Sequence, residues 1–147
     1  MKNKLEKIKI PEIWEKEKEN YLSIGQLKHL YLKTAKHRFQ GKVFINNDTQ
    51  MPIRVSADGL MEWWRKSRKR EHIISVQLLD FFLESGIFIE KSPDYKNRPE
   101  IEGVNLFEST CKVNGIMFKV IITIRKGVDN MAKFRYYTLK NIKLLKT

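Results

Sequence analysis

Residues 104–125 read VNLFESTCKVNGIMFKVIITIR, two alternating apolar–polar runs joined by Asn114-Gly115. Asn-Gly is the preferred pair for a two-residue type I′ hairpin turn, because its backbone twist matches that of the flanking strands. With the turn at that pair, period-two alternation assigns every side chain on both arms. Val113 opposes Ile116, Cys111 opposes Phe118, Ser109 opposes Val120 and Phe107 opposes Ile122 on a core face. On the other face Lys112 meets Met117, Thr110 meets Lys119, Glu108 meets Ile121, Leu106 meets Thr123, and Val104 meets Arg125. A slip of one residue would expose Phe107, Phe118 and Ile122, so turn and apolar pattern enforce the same register. The run FRYYTLKNIKL adds a third antiparallel strand.

Upstream of the ribbon the pattern turns helical. Pro11 suits the first position of a short helix over PEIWEKEKEN, with Ile13 and Trp14 as anchors. Ser23 and Gln26 have the spacing of a capping box, so a helix starts near Ile24. Ile24, Leu27, Leu30, Tyr31 and Ala35 share its apolar face, opposite His29, Lys33 and Lys36. KVFIN, NDTQM and PIRVS read as strand, turn and strand, with Pro52 confined to an edge or a first position. ADGLMEWWRK predicts a short helix with Leu60, Trp63 and Trp64 inward. HIISVQLLDFFLES predicts a longer one with Ile74, Leu78, Phe81 and Phe82 buried and Gly86 as its cap. IFIE reads as a short strand and KSPDYKNRPEIEG as a polar loop. The expected architecture is α+β, with N-terminal helices packed on one face of a C-terminal antiparallel meander. Residues 1–20 form a charged helical extension and 21–147 one domain.

The 147 residues carry a formal net charge of +12. The basic excess lies in residues 1–40, 61–72 and 111–147, whereas 73–110 is net acidic. Such surface favours a polyanionic partner, nucleic acid ahead of membrane, although a Lys-rich genome would produce the same bias. One cysteine, Cys111, excludes an internal disulfide framework and fits a reducing compartment. No run reaches the roughly 18 apolar residues of a membrane span. The first twenty residues lack the apolar stretch of a signal peptide. The expectation is a protein acting in the cytoplasm, even if a specialised system exports it.

The open sheet face carries Glu108, Lys112, Lys119 and Arg125, flanked by Arg135, Tyr136, Tyr137 and Thr138. Cations on such a face hold phosphates while aromatic rings stack on unpaired bases. An ordinary solvated face would look the same. The connector RKSRKR supplies Arg65, Lys66, Arg68, Lys69 and Arg70, a strong phosphate grip or a plain solvated link. Trp63-Trp64 reads as core or as a recognition platform. One Cys and three scattered His make no closed zinc set, and no nucleotide-binding glycine loop is present. No metal and no cofactor are therefore expected.

The segments GKVFINNDTQMPIRVSADGL, HIISVQLLDFFLESG, GVNLFESTCKVNGIMFKVIITIRK and FRYYTLKNIKL resemble, in that order, the large polyvalent protein-associated domains of phages and conjugative elements. They are also similar to barnase–EndoU–colicin–RelE-like nuclease domains of phages and bacterial toxins. The resemblance implies a metal-independent endoribonuclease fold, with helices on one sheet face and RNA on the other. Toxin-like members carry a His or Lys after an S-x-x-G turn, whereas SADGLMEWW offers Met61 and Glu62, so no catalytic residue carries over.

Metal-free RNA cleavage needs a base, an acid and cations around the phosphorane. The residues of suitable type are His37, Glu108, Arg125 and Tyr137 as catalysts. Arg65, Lys66, Arg68, Lys69, Arg70, Lys112, Lys119 and Arg135 are the nucleic-acid contacts. The leading expectation is a ribonuclease-like domain of a phage, mobile-element or toxin system. The alternatives are a non-catalytic nucleic-acid-binding module, or a domain whose basic patches meet an acidic immunity or antitoxin protein.

Overall fold

A computed structural model of the chain describes residues 9–92, 101–129 and 134–147. Three long strands dominate it: β5 (Ile101–Val113), β6 (Ile116–Asp129) and β7 (Phe134–Lys146), consecutive and antiparallel. Asn114 at φ 53° and Gly115 at φ 79° form the turn between the first two, the left-handed pair that type I′ geometry demands. Every pair read from the turn is observed, from Val113–Ile116 out to Val104–Arg125. Phe107, Cys111, Val113, Phe118, Val120 and Ile122 are buried, while their neighbours in sequence face outward.

The sheet is mixed, with further strands on both sides of the meander. In the order of the sheet the strands run β1 (Glu12–Ile13), β5, β6, β7, β3 (Pro52–Arg54) and β2 (Val43–Ile45). Strand β4 (Ile87–Ser92) also pairs with β5. β1 and β3 lie parallel to their partners, a pairing invisible to local pattern. Pro52 opens β3, where its missing N–H costs nothing.

Among the described residues, four α-helices cover the core face. α1 (Ile24–Phe39) begins at a complete capping box, Ser23 with Gln26. It buries Leu27, Tyr31, Leu32, Ala35 and Phe39, while Ile24 and Leu30 stay exposed. α2 (Ala57–Lys66) follows β3 directly. The apolar run after residue 70 is broken rather than one helix: α3 (Arg70–Ile74), a 3-10 turn (Ser75–Leu78) and α4 (Leu79–Ser85). Ser75 Oγ donates to the His72 carbonyl at 2.6 Å, competing with the helical ladder. The tighter turn brings Val76 and Leu79, three residues apart, onto one buried side. Gly86 ends α4 by donating to the Phe82 carbonyl, but with φ −59° rather than a left-handed angle. What requires glycine there is room, since a Cβ would sit 2.7 Å from that carbonyl oxygen.

In place of the expected helix over residues 11–20 the chain runs as an extended strap with strand β1 at Glu12–Ile13, and only Glu17–Glu19 turns into a short 3-10 helix. The strap's Glu–Lys alternation offers no apolar stripe to bury, whereas β5 presents an edge that needs partners. Lys112 N–H donates to the Pro11 carbonyl and Asn114 N–H to that of Ile13. Asn114 Oδ1 then accepts from Glu15 N–H at 2.8 Å, so the hairpin turn also fastens the strap. Trp14, expected as an anchor, is largely exposed.

Candidate nucleic-acid interface

The predicted contacts divide into three places. On the outer face of the meander, Lys119 pairs with Glu108 at 3.2 Å, Lys112 stands opposite Met117, and Arg125 lies further along the same strand. Arg125 Nε is buried there without a partner among the described residues. Tyr137 does not join this face; it stands opposite Lys126 and packs against the core. His37 sits exposed in the last turn of α1, within the helical layer on the other side of the sheet. The four predicted catalysts therefore do not converge. Arg135 pairs in β7 with Val128, and its side chain lies outside the described residues.

The connector is the second place, and its cations have different fates. Arg70 is consumed by the fold: it pairs with Glu15 and donates to the Leu22 and Glu19 carbonyls, at 2.8 Å each. Each of its three guanidinium nitrogens thus has a protein partner, with which the expected phosphate contact would compete. Arg65 and Lys66 lie beside Glu62, at 3.6 and 2.9 Å, and Lys66 holds that carboxyl below its ordinary range. Arg68 and Lys69 are exposed and make no ion pair among the described residues. Trp63 is core, whereas Trp64 is half-buried beneath Lys28, whose ammonium stands 4.8 Å from the ring centre.

The third place was not foreseen. Between the connector and the C-terminal half of β7 lies a cleft of about 580 Å³. β3 pairs with β7 only at Tyr137 and Thr138, so beyond them the strand meets helix α2 instead. The approach is close: a Cβ on Gly59 would fall 2.3 Å from the Leu139 carbonyl oxygen. Ser56 Oγ donates to the same oxygen at 3.3 Å. That contact aims the end of α2, and the connector after it, along β7. Lys66, Arg68 and Lys69 line one wall, and Lys143 and Lys146 the other, against a single acid, Glu71. Ile116, Phe118 and Leu144 supply apolar surface between them. His72 also lines the cleft, and its Nε2 is buried without a partner among the described residues. Burial holds its pKa below the ordinary value of 6.5, the nearby Ile142 backbone opposing, so the ring is neutral near pH 7.

Cys111 faces the core, and burial raises its thiol to about 12, which makes it inert as a nucleophile. Among the described residues no three potential metal ligands cluster, and no helix is long and apolar enough to cross a membrane. The described residues form an α+β fold in which a helix-backed meander borders a basic cleft. A family model described as large polyvalent protein-associated domain 3 matches residues 23–137, and the chain belongs to that family. Comparison with curated proteins and with solved structures finds no match.

Proposed function

We propose that this domain binds nucleic acid, RNA first among the ligands to test, by gripping phosphates in the cleft and without cleaving the chain. One observation carries the reading: five cations from two distant segments line one cleft, and four of them have no ion-pair partner among the described residues. Unmatched cations crowded together repel one another, a cost that a polyanion removes. Cleavage would need a base, an acid and a cation around one phosphorus. Glu108 and Arg125 share a face, but His37 and Tyr137 lie elsewhere, so binding is the reading the geometry supports. The setting we infer is a polyvalent protein of a phage or mobile element, acting in the cytoplasm.

Anisotropy titrations of a labelled single-stranded RNA over a salt series test this. Changing Arg68, Lys69 and Lys143 to Gln should weaken binding for every sequence and flatten the log–log salt slope by about 0.7 per lost contact. Incubation of the protein with total RNA in EDTA should leave it intact. Defined fragments would restore the ribonuclease reading. Tight binding of an acidic protein with none of RNA would replace both.

A further inference from the structure

The strap links the two walls of the cleft at one end, and it carries an exposed tryptophan there. The indole of Trp14 rests on the hairpin tip: a Cβ on Gly115 would fall 3.2 Å from its Cη2. Gly115 is bonded to Ile116, which lines the cleft. The next strap residue, Glu15, pairs with Arg70, which stands in the chain between the cleft-lining Lys69 and Glu71. We infer that Trp14 is a stacking platform for an unpaired base of the nucleic acid whose phosphates the cleft holds. The inference rests on the nucleic-acid reading above and specifies the form of the ligand.

Trp14 is 62% exposed, whereas Trp63 lies in the core and Trp64 is half-buried with Lys28 over its ring. A tryptophan that only anchored the strap would bury its large apolar ring, as the neighbouring Ile13 buries its side chain against the core. Trp14 instead keeps its ring in water on a backbone that is pinned on both sides. Asn114 N–H donates to the Ile13 carbonyl, and Glu15 N–H donates to Asn114 Oδ1. A ring on a pinned backbone loses less freedom when a ligand covers it, so more of the contact energy appears as affinity.

Charge favours a nucleic-acid occupant over a protein one. Of the strap's acids, Glu15 is held by Arg70, and Glu19 is buried with the Tyr31 hydroxyl donating to it at 2.6 Å. Glu12 and Glu17 remain exposed, offset by the exposed Lys16 and Lys18. The strap is thus balanced, and the unmatched charge beside the ring belongs to Arg68, Lys69, Lys143 and Lys146 in the cleft. Aromatic rings beside a basic groove bind single strands in this way: cations track the backbone, and each base offers a π-face whatever its identity. A base inside a duplex has both faces covered by its neighbours and cannot turn onto the indole. The preference is therefore for unpaired strand over paired, not for a sequence.

The test uses the full chain and four labelled probes: a single-stranded RNA of about ten nucleotides, its duplex, an abasic strand of the same length, and inorganic polyphosphate. The single strand should bind about tenfold tighter than the duplex or the abasic strand, the effect of one stacked base. Trp14→Ala should erase most of that margin while leaving binding of the abasic strand and of polyphosphate unchanged. Trp14→Phe keeps a smaller ring and should restore part of it. Thermal melts of both variants should match the parent, since the ring is largely in solvent. Equal binding of all four probes, with Trp14→Ala without effect, overturns the stacking inference and leaves the phosphate reading standing. A Trp14→Ala protein that melts early and loses polyphosphate as well makes the ring a support of the hairpin tip, and overturns the inference too. Failure of every probe to bind at low salt sinks both readings.

Discussion

The outer face of the meander and the cleft beside β7 are both basic, yet they spend their charges differently. On the outer face Lys119 already has Glu108 across the strands. The cleft is lined by Arg68, Lys69, Lys143 and Lys146, with Glu71 the one acid among its lining residues. Exposed pairs that are matched contribute roughly 0–1 kcal/mol to stability and leave little field for a ligand. Unmatched cations around a concave apolar surface concentrate field instead. The difference shows that a count of Lys and Arg does not locate a binding site. What locates it is where several unpaired cations gather around a concave surface, and Arg70, with three protein partners, is the counterexample inside the connector itself.

The contrast can be broken first at the core that both regions share. Phe107→Ala and Phe118→Ala should each cost about 3–5 kcal/mol, as truncations of buried Phe do, read from denaturant midpoints. If either is harmless, the assignment of core and outer face is wrong and neither region is as described. Next in size is Arg70→Met, which keeps the stem but strips Glu15 and two carbonyls of their donor. A loss of about 2 kcal/mol is expected, with binding of RNA changed little once the protein is folded. The reverse pattern would return Arg70 to the ligand contacts.

Lys119→Ala should move stability by no more than about 0.5 kcal/mol. Compared with Arg68→Ala in the same RNA titration, it should also cost less affinity. A larger loss at Lys119 would shift the site back to the outer face. The smallest effect is a pH dependence. His72 has a folded pKa below 6.5, so as pH falls through that value the unfolded chain takes up a proton that the folded protein resists. Stability tied to this residue is complete above the ordinary histidine range and declines below it. Melting temperatures between pH 7.5 and 5 should fall, and His72→Gln should flatten that part of the curve. Parallel curves for the two proteins would mean that the ring is solvated.

What the chain determined by itself was local and periodic. Asn114-Gly115 fixed the turn, and the alternation around it fixed the facing of ten residues on each arm, because a two-residue loop leaves no slack and a slip would drive Phe107, Phe118 and Ile122 into water. The capping box at Ser23 and Gln26, the helix over 57–66 and the position of Pro52 were legible for the same reason: each depends on neighbours a few residues away. Tertiary structure decided the rest. The strap looked helical in isolation, and only the open edge of β5 made extension the better state. Ser75 and the many-sided apolar run after Arg70 broke a helix that a single stripe would have kept whole. Arg70 read as one more free cation until the fold brought it to Glu15, Glu19 and Leu22, about fifty residues away in sequence. The cleft is the extreme case. Its walls come from residues 66–72 and 141–146, and their meeting depends on Gly59 lying against the Leu139 carbonyl. No local signal encodes such a meeting, since a contact between distant segments forms only when the whole core has chosen how to pack.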